Sequence, residues 1–394
     1  MHNAYQQRGG EDSVVEAEMA MLRARGHEVA LYLRHNEELS RLSKLSVATQ
    51  AFWSARMVED LNRQVERDRP DVIHVHNTLP LVSPSVFWAA ARLGVPVVQT
   101  LHNFRLMCPQ AMFVRDGVVC EDCLGRVPWR GVVRGCYRGS VAQTGILAAS
   151  VTLHGLLGTY AHKVDRYIVL NEFCRAKFVE GGLPADRLRV KPNFVPWREA
   201  PPHAAVRSGG LYLGRLTQEK GLDVLLRALA ITGGDGLSVI GDGPMAPEVA
   251  ASLGERFLGF KPLEQVWAHL ETASFLVVPS VWYEGFPRTI VEAYSCGVPV
   301  LASRLGSLAE VVEDGVTGLL FTPGDAHDLA AKMAWAKAHP EEMARMGRRA
   351  REVYEQRYTP QINGAQLESI YREVMAERCG SALGGARGTS PVIG

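Results

Sequence analysis

Two carboxylates with seven residues between them bracket a Gly-Phe-Pro turn in the second half of the chain. They are Glu284 and Glu292, the ends of the stretch Glu-Gly-Phe-Pro-Arg-Thr-Ile-Val-Glu. Pro287 suits the first turn of a helix, where a missing N–H costs no hydrogen bond. With the apolar run before it, the pattern predicts strand, loop and helix, and both carboxylates facing one cleft at the carboxyl end of the strand. Carboxylates accept hydroxyl donors and the free N–H groups of residues 288–290 attract an anion, so the turn suits a sugar joined to a phosphate.

Two cations follow another strand-like run in the same half. Arg215 and Lys220 stand in Gly-Arg-Leu-Thr-Gln-Glu-Lys-Gly, before a helical pattern. Cations at the carboxyl end of a strand can bind a diphosphate and stabilise it as a leaving group. Taken alone, the pair is compatible with an ordinary charged surface loop, as the two glutamates are with a solvated helix face. The order of several motifs together carries the interpretation.

Both halves of the chain alternate short β-branched runs with helical patterns, such as the amphipathic stretch 221–230. This alternation is typical of βαβ units and predicts a parallel sheet in each half. The stretch 192–210 is rich in proline and lacks periodicity, so it is interpreted as a linker. The strand-like runs are residues 27–33, 71–76, 95–101 and 166–170 in the first half and 210–214, 237–241, 275–279 and 298–301 in the second.

The composition of the chain argues against several classes of protein. With 394 residues, of which 47% are hydrophobic and 22% charged, two globular domains are expected. The formal net charge of +1 gives no electrostatic case for nucleic-acid binding. No apolar run reaches the roughly 18 residues of a membrane-spanning helix. The N-terminus has no apolar signal core and the cysteines number seven, an odd count, so a reducing cytoplasm is expected.

Four motifs occur once each and in a fixed order: Gly-Arg-x4-Lys-Gly, Gly-Asp-Gly-Pro, Phe-Leu-Gly and Glu-x7-Glu. In this respect the chain resembles retaining glycosyltransferases of the GT-B type, most closely glycosyltransferase family 4 (glycosyl transferases group 1). The resemblance implies an α/β fold of two Rossmann-like, doubly wound parallel-sheet domains that face an interdomain cleft. The expected organisation is an N-terminal acceptor domain at 1–196 with a Cys-rich insertion at about 104–140, a donor domain at 197–358, a helix at 359–380 that crosses back to the first domain, and a disordered tail at 381–394.

The resemblance implies roles for residues of the second domain. Arg215 and Lys220 would bind the donor diphosphate, Glu284 the sugar hydroxyls and Glu292 the ribose hydroxyls. The turn after Glu284 would contact the phosphates and the hexose. The further donor-binding residues are then Gly241 and Gly243 below the nucleotide, Phe260 near its base, and Gly285, Phe286, Pro287 and Arg288 in the turn.

The first domain resembles the family more loosely. Residues 7–12, Gln-Arg-Gly-Gly-Glu-Asp, resemble its glycine-rich loop, so Gly9 and Gly10 would lie beside the donor diphosphate and lead into a helix near Asp12. His102 ends a strand-like run, where the family places a histidine that faces the reacting sugar. The implied catalytic set is His102, Arg215, Lys220 and Glu284.

The chain departs from the family at two informative places. Only residues 1–5 precede the glycine-rich loop, where the family has a hydrophobic strand, which implies either a truncated first strand or a misassigned start. Asn171 stands where a serine is usual.

The function that the resemblance implies is retaining transfer of a sugar from a nucleotide-diphosphate sugar, a UDP- or GDP-sugar, to a glycan or lipid-linked acceptor in cell-envelope or exopolysaccharide biosynthesis. No catalytic metal is needed if Arg215 and Lys220 neutralise the leaving group. One alternative is a nonhydrolysing nucleotide-sugar epimerase of the same fold, which would need acid–base carboxylates in the first domain. Another is a catalytically inactive binding module, which the two cations and two glutamates argue against.

Four of the seven cysteines lie close together in the sequence. Cys108, Cys120, Cys123 and Cys136 form C-x11-C-x2-C-x12-C. Such a set can bind a structural zinc ion in tetrahedral geometry and so stabilise a long insertion. The alternative is a group of buried thiols that act as small apolar side chains.

The stretch 124–164 contains no acidic residue. Its basic residues, beside Trp129 and Tyr137 and before an apolar helix, favour docking on an anionic membrane surface at the inner face of the cytoplasmic membrane. A core helix with a solvated basic rim explains the same pattern. The basic residues are Arg126, Arg130, Arg134, Arg138 and Lys163.

Overall fold

Short runs of aliphatic and β-branched residues form two parallel sheets in the computed structural model, which describes residues 1–4, 9–199, 207–234 and 236–385. Helices cover the faces of both sheets, and the strands of the second sheet are mostly apolar runs. The elements of the first half are β1 (His2–Ala4), α1 (Gly10–Ala24), β2 (Leu33–His35), α2 (Lys44–Phe52), α3 (Ala55–Asp68), β3 (Ile73–Val75), α4 (Ser85–Leu93), β4 (Val97–Thr100), β5 (Val114–Arg115), β6 (Val118–Val119), α5 (Trp129–Val133), α6 (Val141–Leu156), α7 (Thr159–His162), β7 (Arg166–Val169), α8 (Glu172–Glu180) and β8 (Leu188–Val190). Those of the second half are β9 (Gly210–Leu213), α9 (Leu222–Ile231), β10 (Leu237–Ile240), α10 (Ala246–Leu253), β11 (Phe257–Gly259), α11 (Leu263–Thr272), β12 (Phe275–Val278), α12 (Arg288–Ser295), β13 (Val300–Ser303), α13 (Gly306–Val311), β14 (Gly318–Phe321), α14 (Ala326–Ala338), α15 (Pro340–Arg357) and α16 (Pro360–Gly385).

The second sheet has six parallel strands in the order β11-β10-β9-β12-β13-β14. The strand order therefore reverses between β9 and β12. In a doubly wound sheet, that reversal leaves a crevice at the carboxyl ends of the two strands, where ligands bind.

The first sheet has β3, β4, β7 and β8 paired in that order, all parallel. The pair β1–β2 continues it, because the N–H of His76 donates to Met1 O at 3.0 Å and the N–H of Asn3 donates to Asn77 O at 3.1 Å. The expected strand before the glycine-rich loop is therefore present as β1, with its three residues buried. Its carboxyl end lies at the reversal of strand order in this sheet.

Strand β12 illustrates how the second sheet is stabilised. Leu276 and Val278 pack with Ile290 of α12 on one face, whereas Phe275 and Val277 pack with residues of α9 on the other. Alternate residues of a strand point to opposite faces, so a strand covered on both faces buries all of them. Two apolar clusters thus hold the strand that leads into Glu284.

Two predicted strands differ from those observed. The prediction of a strand at 27–33 is wrong, because β2 begins only at Leu33. Its partner β1 has three residues, so only three residues of β2 can pair with it. The run 298–301 is shifted to Val300–Ser303, because the N–H of Val298 donates to Ala293 O at 2.9 Å and closes the end of α12.

The last helix crosses back to the first domain. Arg25 makes two hydrogen bonds to the Glu368 carboxylate, at 2.6 and 2.9 Å, and Tyr371 OH lies 2.7 Å from His74 Nδ1. The helix ends at Gly385, so residues 381–385 are helical where a disordered tail was expected; Ala382 and Leu383 favour continuation of an existing helix. Residues 386–394 of the expected tail lie outside the described ranges. Within those ranges no helix is long and apolar enough to cross a bilayer.

Candidate active site

The site in the second domain lies at the reversal of strand order between β9 and β12. Arg215 follows β9, while Ser280, Trp282 and Glu284 follow β12, so the carboxyl ends of two neighbouring strands bring them together. The predicted succession of strand, loop and helix is present. Pro287, however, is the N-cap of α12 and not a residue of its first turn.

One oxygen of Glu284 accepts three hydrogen bonds. The donors are Lys220 Nζ at 2.7 Å, Ser280 Oγ at 2.6 Å and Trp282 Nε1 at 3.0 Å from Oε1. The carboxylate is only 5% exposed, and hydrogen bonds in such a low-dielectric setting hold it in one orientation. In the described part of the chain no group donates to Oε2, which can therefore accept a hydrogen bond from a ligand hydroxyl.

Glu292 and Arg288 form a second, less satisfied pair on α12. Glu292 Oε1 lies 3.7 Å from a guanidinium nitrogen of Arg288. Burial raises the pKa of Glu292, and Arg288 lowers it only in part. Arg288 Nε is buried and has no acceptor among the described residues. Unpaired buried polar groups are costly, so this pair is suited to a polar ligand that satisfies it.

The N-terminus of α12 provides two free backbone donors. The N–H of Ile290 donates to Pro287 O at 3.1 Å, so the prediction of three free donors was wrong by one. Within the described ranges the N–H groups of Arg288 and Thr289 have no acceptor. The start of a helix stabilises an anion, because its free donors and its dipole both favour negative charge.

Residues of both domains line one cavity of about 370 Å³. Its lining includes the predicted residues Gly10, His102, Arg215, Lys220, Glu284, Gly285, Phe286, Pro287, Arg288 and Glu292. Glu11 and Asn103 also line it, and Asn103 Nδ2 donates to Glu11 Oε1 at 2.6 Å. The sequence analysis missed these two, although each directly follows a residue that it had selected.

Four of the predicted residues do not line this cavity. Gly9 is the N-cap of α1, and Phe260 is 77% exposed beyond β11. Gly241 and Gly243 are required by packing: a Cβ would lie 1.9 Å from Gly214 O at the first and 2.5 Å from Leu216 O at the second. These two glycines allow the turns after β9 and β10 to approach each other. Their contact with a ligand stays a prediction. Residues 5–8, which include part of the expected glycine-rich loop, lie outside the described ranges.

His102 lines the cavity from the first domain and is hydrogen-bonded to a second histidine. His102 Nε2 lies 3.0 Å from His76 Nδ1, and the two rings are stacked with their centroids 5.3 Å apart. Burial lowers the pKa of His102, which the carboxylate of Glu11 offsets only in part. The imidazole is therefore neutral near pH 7 and would contact a ligand through hydrogen bonds rather than as a cation.

Behind His76 lies a buried ion pair that the sequence did not indicate. Glu18 Oε1 accepts from Lys191 Nζ at 2.7 Å, and Glu18 Oε2 lies 3.5 Å from His76 Nε2. Burial opposes ionisation of Glu18, but Lys191 and the imidazoles outweigh it and lower its pKa. Burial also lowers the pKa of His74, to about 3. These residues come from α1, β3 and the end of β8, so only the tertiary fold brings them together.

The described residues contain one group of three ligand atoms within 4.8 Å of one another, those of Glu18, His74 and His76. Lys191 already compensates the charge of Glu18. Both nitrogens of His74 are also engaged, with Tyr371 OH at 2.7 Å and Thr100 Oγ1 at 2.8 Å. The group is therefore better described as a hydrogen-bond network than as a metal centre.

The cysteines of the predicted zinc site are free thiols spread through the insertion. Cys108 and Cys123 are buried, and Cys120 and Cys136 are half-buried. Burial raises the pKa values of Cys123 and Cys136, and the other thiols of the group raise them further. No three of these sulfur atoms lie within 4.8 Å of one another in the described structure.

The two domains are in contact beside the cavity. Asn171 caps α8 with its amide oxygen, and its Nδ2 donates to Gly285 O of the second domain at 2.7 Å. The asparagine side chain is long enough to cross the cleft, whereas the serine that is usual at this position is shorter. From the second domain, the Glu310 carboxylate accepts the N–H groups of Glu172 at 2.9 Å and Phe173 at 2.7 Å. A carboxylate of one domain thus binds the N-terminus of a helix in the other.

A two-domain α/β fold with a cavity at the reversal points of both sheets is the GT-B architecture. The family described as Glycosyl transferases group 1 matches residues 210–353, and the glycosyl transferase 4-like domain matches residues 9–193. The chain therefore belongs to glycosyltransferase family 4.

Curated relatives support this membership. The D-inositol 3-phosphate glycosyltransferase of Saccharomonospora viridis is 34% identical over 340 residues, which are 79% of this chain and 72% of that protein. The uncharacterized glycosyltransferase MJ1178 of Methanocaldococcus jannaschii is 35% identical over 130 residues, 32% of this chain and 36% of that protein. The amylovoran biosynthesis glycosyltransferase AmsK of Erwinia amylovora is 31% identical over 137 residues, 31% of this chain and 34% of that protein. The alignments thus cover only about a third of the last two relatives.

Solved structures share the fold over almost the whole chain. Sucrose-phosphate synthase from Thermosynechococcus elongatus has a TM-score of 0.67 at 20% identity, covering 96% of each chain. The Anabaena protein HepE in complex with UDP-glucose has a TM-score of 0.62 at 19% identity, covering 93% of this chain and 98% of that one. At these identities the likeness establishes the GT-B fold.

Proposed function

We propose that this glycosyltransferase moves a sugar, with retention of anomeric configuration, from a UDP- or GDP-sugar to a glycan or lipid-linked acceptor. The observation that carries the proposal is a cavity lined by both domains, in which Lys220, Glu284, Arg288 and Glu292 converge. The bound UDP-glucose of the HepE structure is consistent with a nucleotide-sugar donor for this fold.

The polar groups of the cavity suggest which residues bind each part of the donor. Arg215 and Lys220, with the free N–H groups of Arg288 and Thr289, form a cationic end for the diphosphate. Glu284 Oε2 is placed to accept a sugar hydroxyl because Oε1 is held by three donors.

The nucleoside side of the donor is assigned to the carboxylate on α12. Glu292 would accept the ribose hydroxyls, because it is buried and its neighbour Arg288 satisfies it only weakly. Ribose hydroxyls would donate the hydrogen bonds that this carboxylate lacks. Without the ribose, the buried carboxylate would be left without these hydrogen bonds.

The chemistry proposed for the site needs no strong protein base and no catalytic metal. The cationic groups stabilise the diphosphate as it leaves, and a donor phosphate oxygen takes the proton of the acceptor hydroxyl on the same face. His102, kept neutral by burial, would hold a hydroxyl of the reacting sugar. Contact of the domains through Asn171 and Gly285 would exclude water and limit hydrolysis.

The acceptor side is proposed to work at an anionic membrane surface. Trp129 on α5 is 59% exposed and Leu156 at the end of α6 is 83% exposed, while Arg126, Arg134 and Arg138 are exposed nearby in the sequence. Exposed apolar and basic side chains together favour peripheral binding to such a surface. One side of α6 is buried, so the helix also serves the core, as the alternative interpretation expected. The relative AmsK, named for amylovoran biosynthesis, supports a role in polysaccharide assembly.

The stereochemistry of slow donor hydrolysis tests the proposal. Each α-linked donor would be incubated with the protein and the first sugar released would be examined by proton NMR before it mutarotates. Release of the α-anomer by the wild type, and its loss in Lys220→Ala but not in Lys337→Ala, would support the proposal. Release of the β-anomer would contradict retention. A donor that changes its sugar configuration without releasing sugar would indicate the epimerase.

A further inference from the structure

The insertion after β4 has an unusual backbone for its length. Its regular structure is limited to the two-residue strands β5 and β6 and the five-residue helix α5. Outside the Asp116-Gly117 turn of the β5–β6 hairpin, three residues other than glycine adopt left-handed backbone angles in it: Ala111 (φ 72°), Phe113 (φ 50°) and Arg138 (φ 55°). Such conformations are strained and persist only where the surrounding structure enforces them. A cross-link between its loops would add to the packing of Phe104, Phe113 and Leu124 in the core of the first domain.

Gly131 lies against the Cys-x2-Cys turn. A Cβ at this position would lie 3.5 Å from Cys123 Sγ and 3.1 Å from a ring carbon of Pro109, the residue after Cys108. The N–H of Cys136 donates to Gly131 O at 3.0 Å. The fold thus brings the Cys123 sulfur, the backbone of Cys136 and the residue after Cys108 to one glycine, and Cys120 is separated from Cys123 by two residues in the Cys-x2-Cys turn.

We propose that Cys108, Cys120, Cys123 and Cys136 bind a structural zinc ion. Four thiolates with a Cys-x2-Cys pair form the donor set that zinc prefers, in closed tetrahedral geometry. The sulfur atoms are not within ligand spacing of one another in this structure, and binding requires rotation of the cysteine side chains toward a common centre.

The two remaining described cysteines provide an internal comparison. Cys174 and Cys296 are buried singly in the cores of the two domains, as expected of thiols that serve as small apolar side chains. Within the insertion, Cys108 also belongs to the core of the first domain, whereas Cys120 and Cys136 are only half-buried and so differ from core thiols.

The charge around the group fits a zinc ion with four thiolates, which carries a net negative charge. The Asp122 carboxylate, which is next to Cys123 in the sequence, lies 2.5 Å from Arg134 and 3.6 Å from Arg130, and so keeps two guanidinium groups beside the cysteines. This accounts for part of the basic stretch independently of any membrane.

The ion would support the border of the donor cleft. Phe113 of the insertion packs on Tyr283, the residue before Glu284, with ring centroids 6.3 Å apart. Glu121 binds Lys177 at 2.7 Å, and Lys177 in turn lies over the ring of Tyr283. An ordered insertion therefore holds a surface against which the second domain rests.

Metal analysis of the purified protein tests the proposal without any assay of activity. We expect one zinc ion per chain in the wild type, loss of this zinc in Cys120→Ser and Cys123→Ser, and its retention in the control Cys296→Ala. Retention of zinc in both serine variants would overturn the proposal.

A second measurement on the wild type avoids variants that fail to fold. The protein would be stripped with a chelator and titrated with Co²⁺, whose absorption reports tetrahedral thiolate ligation. A thiolate-to-cobalt charge-transfer band that zinc abolishes, with increased proteolysis of the insertion in the stripped protein, supports the proposal. A folded wild type that contains no zinc and develops no such band contradicts it.

Discussion

Lys220 Nζ lies 2.7 Å from Glu284 Oε1, so the cation expected at the donor diphosphate is bound to the carboxylate expected at the sugar. The two roles are therefore not independent. A change at either residue alters the orientation and charge of the other, and both face the same cavity.

Glu284→Ala should destabilise the second domain as well as abolish transfer. The substitution leaves Ser280 and Trp282 without their acceptor and Lys220 without its counter-charge, each in a largely buried setting. We expect a loss of about 1–3 kcal/mol in the free energy of unfolding, measured by urea denaturation. Glu284→Gln keeps an acceptor oxygen and should lose activity with a smaller loss of stability. Equal stability of Glu284→Ala and the exposed control Glu264→Ala would contradict this account.

Glu292 should make the stability of the ligand-free protein depend on pH. Burial raises its pKa above the ordinary value of 4.5, so ionisation costs more in the folded than in the unfolded state. The contribution of Glu292 is fully present below pH 4.5 and is lost as the pH rises through the raised pKa. Relative to Glu292→Gln, the wild type should lose stability over this interval in urea titrations at a series of pH values. A difference that does not change with pH would show that the carboxylate is not desolvated.

Gly285→Ala should weaken the contact between the domains. A Cβ at this position would lie 2.5 Å from His102 O, across the cleft. We expect a lower rate of transfer and a larger radius of gyration in small-angle scattering, while the unfolding of each domain changes little. Gly155→Ala is the matched control, because its Cβ would meet no atom within 4 Å and alanine favours a helix interior. An unchanged radius and rate in Gly285→Ala would mean that the contact is not needed.

Lys191→Met should destabilise the first domain by about 3–5 kcal/mol, because it leaves the buried Glu18 carboxylate without its partner. The double variant Glu18→Gln/Lys191→Met removes both charges and should recover much of this loss in the same denaturation experiment. If the double variant is no more stable than Lys191→Met, the neighbouring His74 and His76 have already compensated Glu18.

The local parts of the site could be predicted because each lies within one strand–loop–helix unit. Glu284 and Glu292 share one such unit, and Arg215 and Lys220 share another. The spacing of each pair in the sequence therefore indicates that its two residues lie close together. The buried apolar runs of the second sheet were similarly recognisable, since parallel strands covered on both faces contain few polar residues.

The parts that could not be predicted depend on contacts between distant segments. Lys191 and Glu18 are separated by 173 positions, and nothing in either local sequence indicates the other. Packing of two turns requires Gly241 and Gly243, a reason that their local sequence does not show. Strand β2 was misplaced because its extent is set by its short partner β1 and not by its own residues.

Nucleotide-sugar binding to the purified protein is the most direct test of the central claim. UDP-, GDP-, ADP- and dTDP-sugars would be titrated against the wild type, Lys220→Ala and Glu292→Ala, with Lys337→Ala and Glu264→Ala as exposed controls, and the melting temperature recorded. We predict stabilisation of the wild type and both controls by one nucleotide class, and its loss in Lys220→Ala and Glu292→Ala. A folded wild type that no nucleotide sugar stabilises, or variants that are stabilised as fully as the wild type, would contradict the placement of the donor in this cavity.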